Sequence, residues 1–271
     1  MRINSLAASL FLLIIIGGFS CKNKNTGNVS EGDEKSGLVV SVPDFNADSA
    51  YSYIVEQIAF GPRVPNTEAH RHCSDYLIAG LKRFGAAVQV QEAMLTAYNG
   101  DRLNARNIIG SYNPDNPRRI LLFAHWDTRP YADHDPNPDK WRVPIDGADD
   151  GASGVGVLLE ICRQLGGQNP NIGIDVIFFD AEDYGTPRFI TENSPEESWC
   201  LGSQYWSANP HVTNYRADYG ILLDMVGSRN ATFFKEATSM EYASQTVEKV
   251  WEAARNLGYG KFFFNEPGGG V

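Results

Sequence analysis

Apolar residues recur along this chain at two spacings, and the alternation between them lays out its elements. Behind Asp48 or Ser49 as a cap, Tyr51, Ile54, Val55 and Ile58 fall at helical spacing and predict a helix with that face inward. Gly61-Pro62-Arg63-Val64-Pro65 breaks it. A second helix is predicted to open at Thr67 and Glu68. It would turn Cys73, Tyr76, Leu77, Leu81 and Phe84 inward and stop at Gly85. Apolar runs at 87–90, 107–111, 120–124, 174–179, 220–223 and 231–234 predict strands. Helical periodicity fills 151–165 and 241–257. Apolar strands bounded by helices predict an α/β fold with a mostly parallel central sheet flanked by helices.

Two stretches fit neither spacing. Residues 129–148 are dense in Pro, Asp and His, and residues 184–198 mix Gly, Pro, Thr and Glu. Segments of this kind in a domain are either functional lids or surface insertions.

The N-terminal pattern differs again. An apolar run over residues 6–19 follows Met1-Arg2; it is too short to span a bilayer comfortably and suits the core of a signal peptide. It ends at Gly18-Phe19-Ser20-Cys21, which predicts a lipoprotein-type signal peptide over 1–21 with the lipid on Cys21; a plain secretory signal is the alternative. Residues 22–42, rich in Asn, Gly, Ser, Glu and Lys, predict a flexible linker, leaving 43–271 as the catalytic domain. The expected location is the periplasm or the outer membrane, with membrane contact only through Cys21.

Composition narrows the partners. With 42% apolar residues in 271, a sizeable core is available. The formal net charge of −10, with no Lys/Arg-rich run, argues against a nucleic-acid partner. Beyond Cys21, Cys73, Cys162 and Cys200 remain, an odd count that does not form a disulfide framework. Cys73 and Cys162 sit on apolar helix faces, as small buried hydrophobes do.

The candidate chemistry lies at strand ends. His125-Trp126-Asp127, Glu182-Asp183 and Asp224 each follow an apolar run, and Asp149-Asp150 opens a helix. Ligands of open α/β sheets collect at that edge. Several carboxylates converging there are costly to bury without a cation, which points to a metal, with zinc the natural choice for an enzyme of this kind. His70, His72, His134 and His211 have no partner pattern and are expected on the surface or in loops. Trp126 alternates with its neighbours and is expected in the core.

These motifs carry a family resemblance. His125-x-Asp127, Gly147-Ala148-Asp149-Asp150-Gly151-Ala152-Ser153-Gly154, Phe179-Asp180-Ala181-Glu182-Asp183 and Leu223-Asp224-Met225-Val226-Gly227 resemble the zinc aminopeptidase superfamily in content and order. Within it the chain is similar to animal-type glutaminyl cyclases as found in Bacteroidetes, from about Asp44 to its last residue. The most specific stretches are residues 124–130 and 198–206, and the link from the acidic pair to Gly202-Ser203 is long, as in the cyclases.

The resemblance implies an enzyme that converts an N-terminal Gln of peptides or proteins to pyroglutamate with release of ammonia. It makes Asp150 and Asp183 zinc ligands, Asp183 standing where the family more often has Glu. Glu182 corresponds to the general acid/base, and Asp224 to the acid that holds the substrate amine. Trp199 is assigned to the pocket wall. His125 is either retained without a ligand role or holds a second metal, as in two-zinc aminopeptidases, with Asp127 orienting it. One zinc is expected, and its third ligand, a histidine, would come from beyond Val271 together with a second catalytic aspartate, so the domain is expected to be incomplete at its C-terminus. The alternatives are a metallo-aminopeptidase, a catalytically inactive binding protein, and a lipoprotein scaffold that stores metal.

Overall fold

The structure is a computed structural model that describes residues 43–168, 170–191, 195 and 197–269. The expected signal peptide over 1–21, lipid anchor at Cys21 and linker over 22–42 lie outside the described residues. No helix among the described residues is long and apolar enough to cross a membrane.

Helix α1 (Ala47–Ile58) starts one or two residues before the expected caps, because the Asn46 side chain accepts the Ser49 N–H at 2.9 Å. Its inward face also differs. Ala50, Tyr53 and Gln57 are buried while Tyr51 and Val55 face solvent. Contact with a later helix decides this. α1 lies along α3 (Ala152–Leu165), where Gly156 admits it so closely that a Cβ there would stand 2.7 Å from Ile54 Cγ1 and 2.8 Å from Ala50 O. The Gln57 amide then donates to Ala152 O at 3.2 Å. A small residue and a satisfied amide thus outrank two larger hydrophobes.

α2 (Glu68–Arg83) matches its expected start, with Thr67 accepting the His70 N–H at 3.2 Å, and its chain reverses at Gly85, whose φ is +83°. Strands β1 (Ala87–Thr96) and β2 (Arg102–Tyr112) pair antiparallel from Ala87↔Ser111 to Thr96↔Arg102. β3 (Arg119–His125), β4 (Gly173–Phe179) and β5 (Gly220–Leu222) complete a five-stranded sheet of order β1-β2-β4-β3-β5. β3 is parallel to both β4 and β5, while β2 runs antiparallel to β1 and β4. Four strands therefore point one way and β2 alone opposes them, in keeping with the α/β expectation.

Side-chain alternation builds the two layers. Ile108, Leu122, Ala124, Ile174, Val176 and Phe178 pack with Leu77, Leu81, Val155, Leu158, Leu159 and Cys162 from α2 and α3. On the other face Ile109, Leu121, Ile177 and Phe179 meet Phe123 and Trp206. Trp206 belongs to α4 (Leu201–Ala208), a helix the sequence pattern did not reveal. Farther along, β6 (Phe233–Lys235) and β7 (Phe263–Pro267) form a small parallel sheet flanking α5 (Ala237–Asn256). α5 starts four residues earlier than expected because the Glu236 carboxylate accepts the N–H groups of Thr238 and Ser239 at 2.7 and 2.6 Å.

Candidate active site

Because β3, β4 and β5 are mutually aligned, the residues after them emerge at one sheet edge. His125 ends β3, Glu182 and Asp183 follow β4, and Asp224 follows β5. Asp150 comes from the turn before α3. That turn demands glycine twice. Gly151 has φ +91°, and a Cβ on it would lie 2.8 Å from Asp127 O; Gly147 has φ +62°, and a Cβ there would meet Thr128 Cγ2 at 2.3 Å. The fully buried Arg63 binds the turn to the strand, donating to Trp126 O at 3.0 Å, Asp146 O at 2.8 Å and Gly147 O at 2.7 Å.

Three of the expected site residues converge tightly. One ligand atom each from His125, Asp150 and Asp224 fits within a 4.8 Å span. His125 Nε2 is 2.9 Å from Asp150 Oδ1 and 3.5 Å from Asp224 Oδ1; its Nδ1 is 3.5 Å from Asp127 Oδ1 and 3.9 Å from Glu182 Oε2. Distance here does not mean hydrogen bonding. Both ring nitrogens, Asp183 Oδ2 and Asp224 Oδ1 are buried with no hydrogen-bond partner among the described residues.

The electrostatics follow from this crowding. Burial opposes protonation of His125, but the carboxylates of Asp127, Asp150 and Asp224 outweigh it and hold the ring well above the ordinary imidazole range. Burial also works against ionised Asp150, yet the His125 ring keeps it below the usual carboxylate range. For Asp183 the balance falls the other way: burial, then the charges of Asp150 and Asp127, outweigh the pull of His125 and push it up to about 8. Glu182 is raised as well, chiefly by burial.

Those observations test the fit of a metal. Buried polar atoms without partners are costly, at about 1–3 kcal/mol each. A divalent cation would satisfy the carboxylates at once and remove the repulsion that raises Asp183. Aspartate oxygen and histidine nitrogen are also the donors zinc prefers among oxygen and nitrogen ligands. The residues present fit a zinc site.

Glu182 faces a cavity of about 860 Å³ lined by Phe123, Phe179, Trp199, Cys200, Leu222 and Asp224 among others. Trp199 is one of the residues lining that cavity, and Trp126 is fully buried, as expected. Asp127 is wholly buried but reaches beyond His125: its two oxygens accept the backbone N–H groups of Glu182 and Asp183.

One histidine departs from expectation, and a second, in the loop after α4, gains a partner. His70 is buried, with Nε2 at 2.9 Å from both oxygens of Asp180 and its ring stacked 4.3 Å from that of Trp126. The reason is Asp180, a fully buried carboxylate that needs a partner. His211 is half-buried and accepts Trp206 Nε1–H at 3.0 Å. His72 and His134 are exposed, and Cys73 and Cys162 are buried, in line with the sequence.

Four contributors were not singled out as site residues by the sequence: Arg63, the His70–Asp180 pair, Cys200 and Arg129. The Cys200 thiol donates to Glu182 Oε1 at 3.1 Å from a left-handed backbone, φ +56°. Arg129 sits within the specific stretch 124–130, which was the available hint.

The fold and site define an α/β protein with a candidate metal centre at one edge of its sheet, and comparison makes the class specific. Residues 107–266, more than half of the chain, match peptidase family M28, and the chain belongs to that family. It is similar to a Zn-dependent exopeptidase from Parabacteroides distasonis, at 67% identity and TM-score 0.84, covering 85% of this chain and 79% of that one. It is equally similar to the glutaminyl cyclase of Tannerella forsythia, at 66% identity and TM-score 0.82, covering 84% and 78%. Among curated proteins, the glutaminyl-peptide cyclotransferase of Drosophila melanogaster is 26% identical over 197 residues. The match takes in 69% of this chain, which spans 51% of the length of that relative. The resemblance to Bacteroidetes and animal glutaminyl cyclases is thus borne out, and the family's zinc dependence agrees with the donor set.

Proposed function

We propose that the complete gene product is a glutaminyl-peptide cyclotransferase, converting an N-terminal glutamine to pyroglutamate with release of ammonia. The observation that carries this reading is Glu182. Its carboxylate opens on a cavity whose wall is Trp199, brought there by the long link from Asp183 to Gly202. A cavity of that volume has room for a peptide end, and the indole at its wall offers a flat face for the glutamine amide.

Each residue has a task. Asp224 holds the substrate α-amine in attack position against its own γ-carboxamide, so that ring closure exploits proximity. Glu182 takes a proton from the attacking amine and returns it to the departing ammonia. Its raised affinity for protons, caused mainly by burial, suits a group that takes up a proton and passes it on. Zinc, when bound, supplies Lewis-acid polarisation of the carboxamide oxygen. Asp150 and Asp183 would hold one such ion, with a histidine from beyond Val271 as the proposed third ligand. Export, with a lipid on Cys21 as the membrane tether, completes the proposal; the apolar run ending in Ser20-Cys21 supports it.

The convergence of His125, Asp150 and Asp224 favours one second reading. A second cation there would suit a metallo-aminopeptidase, in which Glu182 would act on a water molecule instead.

Two substitutions test the roles. Glu182→Gln keeps shape but removes the proton acceptor, and turnover should fall about 10²–10⁴-fold with zinc retained. Asp183→Ala should lose zinc and activity together. Near-normal ammonia release by Glu182→Gln would overturn the assignment.

A further inference from the structure

A buried ion pair that the proposed chemistry does not use stands behind the cavity wall. Arg129 and Asp133 are both buried, and Arg129 Nε and Nη2 donate to the two Asp133 oxygens at 2.6 and 2.7 Å. Asp133 Oδ2 also accepts the backbone N–H of Arg188 at 2.7 Å. One carboxylate therefore ties the irregular segment after β3 to the one after Asp183. An aromatic contact repeats the tie: Phe189 meets Tyr131 edge-on at 5.4 Å and lies beneath the Arg142 guanidinium at 4.4 Å.

The free face of the Arg129 guanidinium is spent on the wall itself. Its central carbon lies 4.4 Å from the centroid of the Trp199 ring. Nη1 reaches Asp183 as well, at 3.4 Å from the carbonyl oxygen and 3.5 Å from Oδ1. Gly185 closes the indole in from another side, since a Cβ there would stand 2.1 Å from Trp199 Cδ2. A planar cation with a two-point anchor can fix the plane of an aromatic ring; an ammonium on a flexible stem does this poorly. Arg129 itself is too deeply buried to touch a substrate.

We propose that Arg129, anchored by Asp133, is a positioning residue that fixes the plane of Trp199 and so sets how tightly the glutamine side chain fits the cavity. The proposal rests on the cyclotransferase reading for its substrate. A merely structural role for the pair would stabilise the two segments without acting through the indole, and a double-mutant cycle separates the two cases.

The experiment uses the complete, zinc-loaded gene product and a Gln-initiated peptide. Arg129→Lys keeps the charge but loses the fork. It should raise KM about 10-fold, with kcat within about threefold and zinc content unchanged, a size typical of coupled neighbours. In a Trp199→Ala background the same change should move KM less than about threefold, because the ring through which it acts is gone. An unchanged KM in Arg129→Lys, or an equal effect in both backgrounds, would overturn the proposal. Asp133→Asn should reproduce the Arg129→Lys split; where it fails to fold, the Arg129→Lys cycle decides alone. A wild-type protein that forms no pyroglutamate would sink the cyclotransferase reading by itself. The same cycle read as peptide Kd by equilibrium dialysis then still judges Arg129, and no peptide binding by the wild type would overturn both.

Discussion

Asp127 Oδ1 accepts the backbone N–H of Glu182 at 3.0 Å, and its other oxygen accepts that of Asp183 at 3.1 Å. One fully buried carboxylate at the end of β3 thereby holds two consecutive residues of the segment after β4. The segment needs holding, since Ala181 just before it adopts φ +50°, an uncommon conformation for a residue with a side chain. The same carboxylate approaches His125 Nδ1 at 3.5 Å. Asp127 thus fixes the proposed acid/base and a proposed ligand in one frame.

Removing that frame should be felt in metal and turnover alike. For Asp127→Ala we expect zinc affinity and kcat/KM each to fall about 10–100-fold, the usual cost of losing a group that orients ligands. Titration with a competing chelator, beside steady-state kinetics, measures both. Wild-type affinity would show that the Glu182–Asp183 segment holds its shape unaided.

How much of this was legible in the sequence depends on the residue. Alternation of apolar strands and helices makes the α/β layering legible; His125, Glu182 and Asp224 are visible because each follows an apolar run, and Asp150 because it opens a helix. Asp133, Arg63 and His70 were not. The Arg188 N–H that reaches Asp133, the Trp126 and Gly147 carbonyls that hold Arg63, and the Asp180 carboxylate that pairs with His70 are distant in sequence or contributed by backbone, and no periodicity records such pairings. The inward face of α1 was misjudged for a related reason. Periodicity ranks Tyr51 and Val55 above Gln57, whereas the hydrogen bond to Ala152 O and the clearance at Gly156 decide the packing.

A second ion pair offers a test of stability against pH. The Glu160 side chain is fully buried; it takes two bonds from Arg163 at 2.7 and 2.8 Å, one from Gln164 at 2.9 Å and the Asn46 N–H at 3.0 Å. Hydrogen bonding to Arg163, against the effect of burial, holds its carboxyl down at about 2. An unfolded glutamate titrates near ~4.3. The stability it contributes is therefore complete above that value and is lost as pH falls from there through about 2. Glu160→Gln should cost about 1–3 kcal/mol at neutral pH, seen as a lower Tm. The gap to wild type should narrow below pH ~4, and a gap that stays constant down to pH ~2 would contradict the account.

Gly154 marks where α3 touches the strand that delivers Asp224. A Cβ there would lie 2.0 Å from Leu223 O, a backbone atom that has no rotamer to yield. Gly154→Ala should destabilise by about 3 kcal/mol, the upper part of the range for overpacking, and should weaken substrate binding by displacing Asp224. Gly167→Ala is the control, since the nearest atom to its new Cβ is 3.8 Å away. Thermal melts of both variants read the contrast; equal Tm values would contradict the close approach.

Reaction type is the central claim, and it turns on Glu182 and Trp199 more than on the ligands that cyclases and aminopeptidases share. Mass spectrometry of a Gln-initiated and a Leu-initiated peptide, each incubated with the complete zinc-loaded gene product, tests it most directly. The account predicts that the first peptide loses ammonia and the second is unchanged. Steady removal of the leading residue from the Leu-initiated peptide, with the Gln-initiated one not cyclised, would contradict it and favour the aminopeptidase.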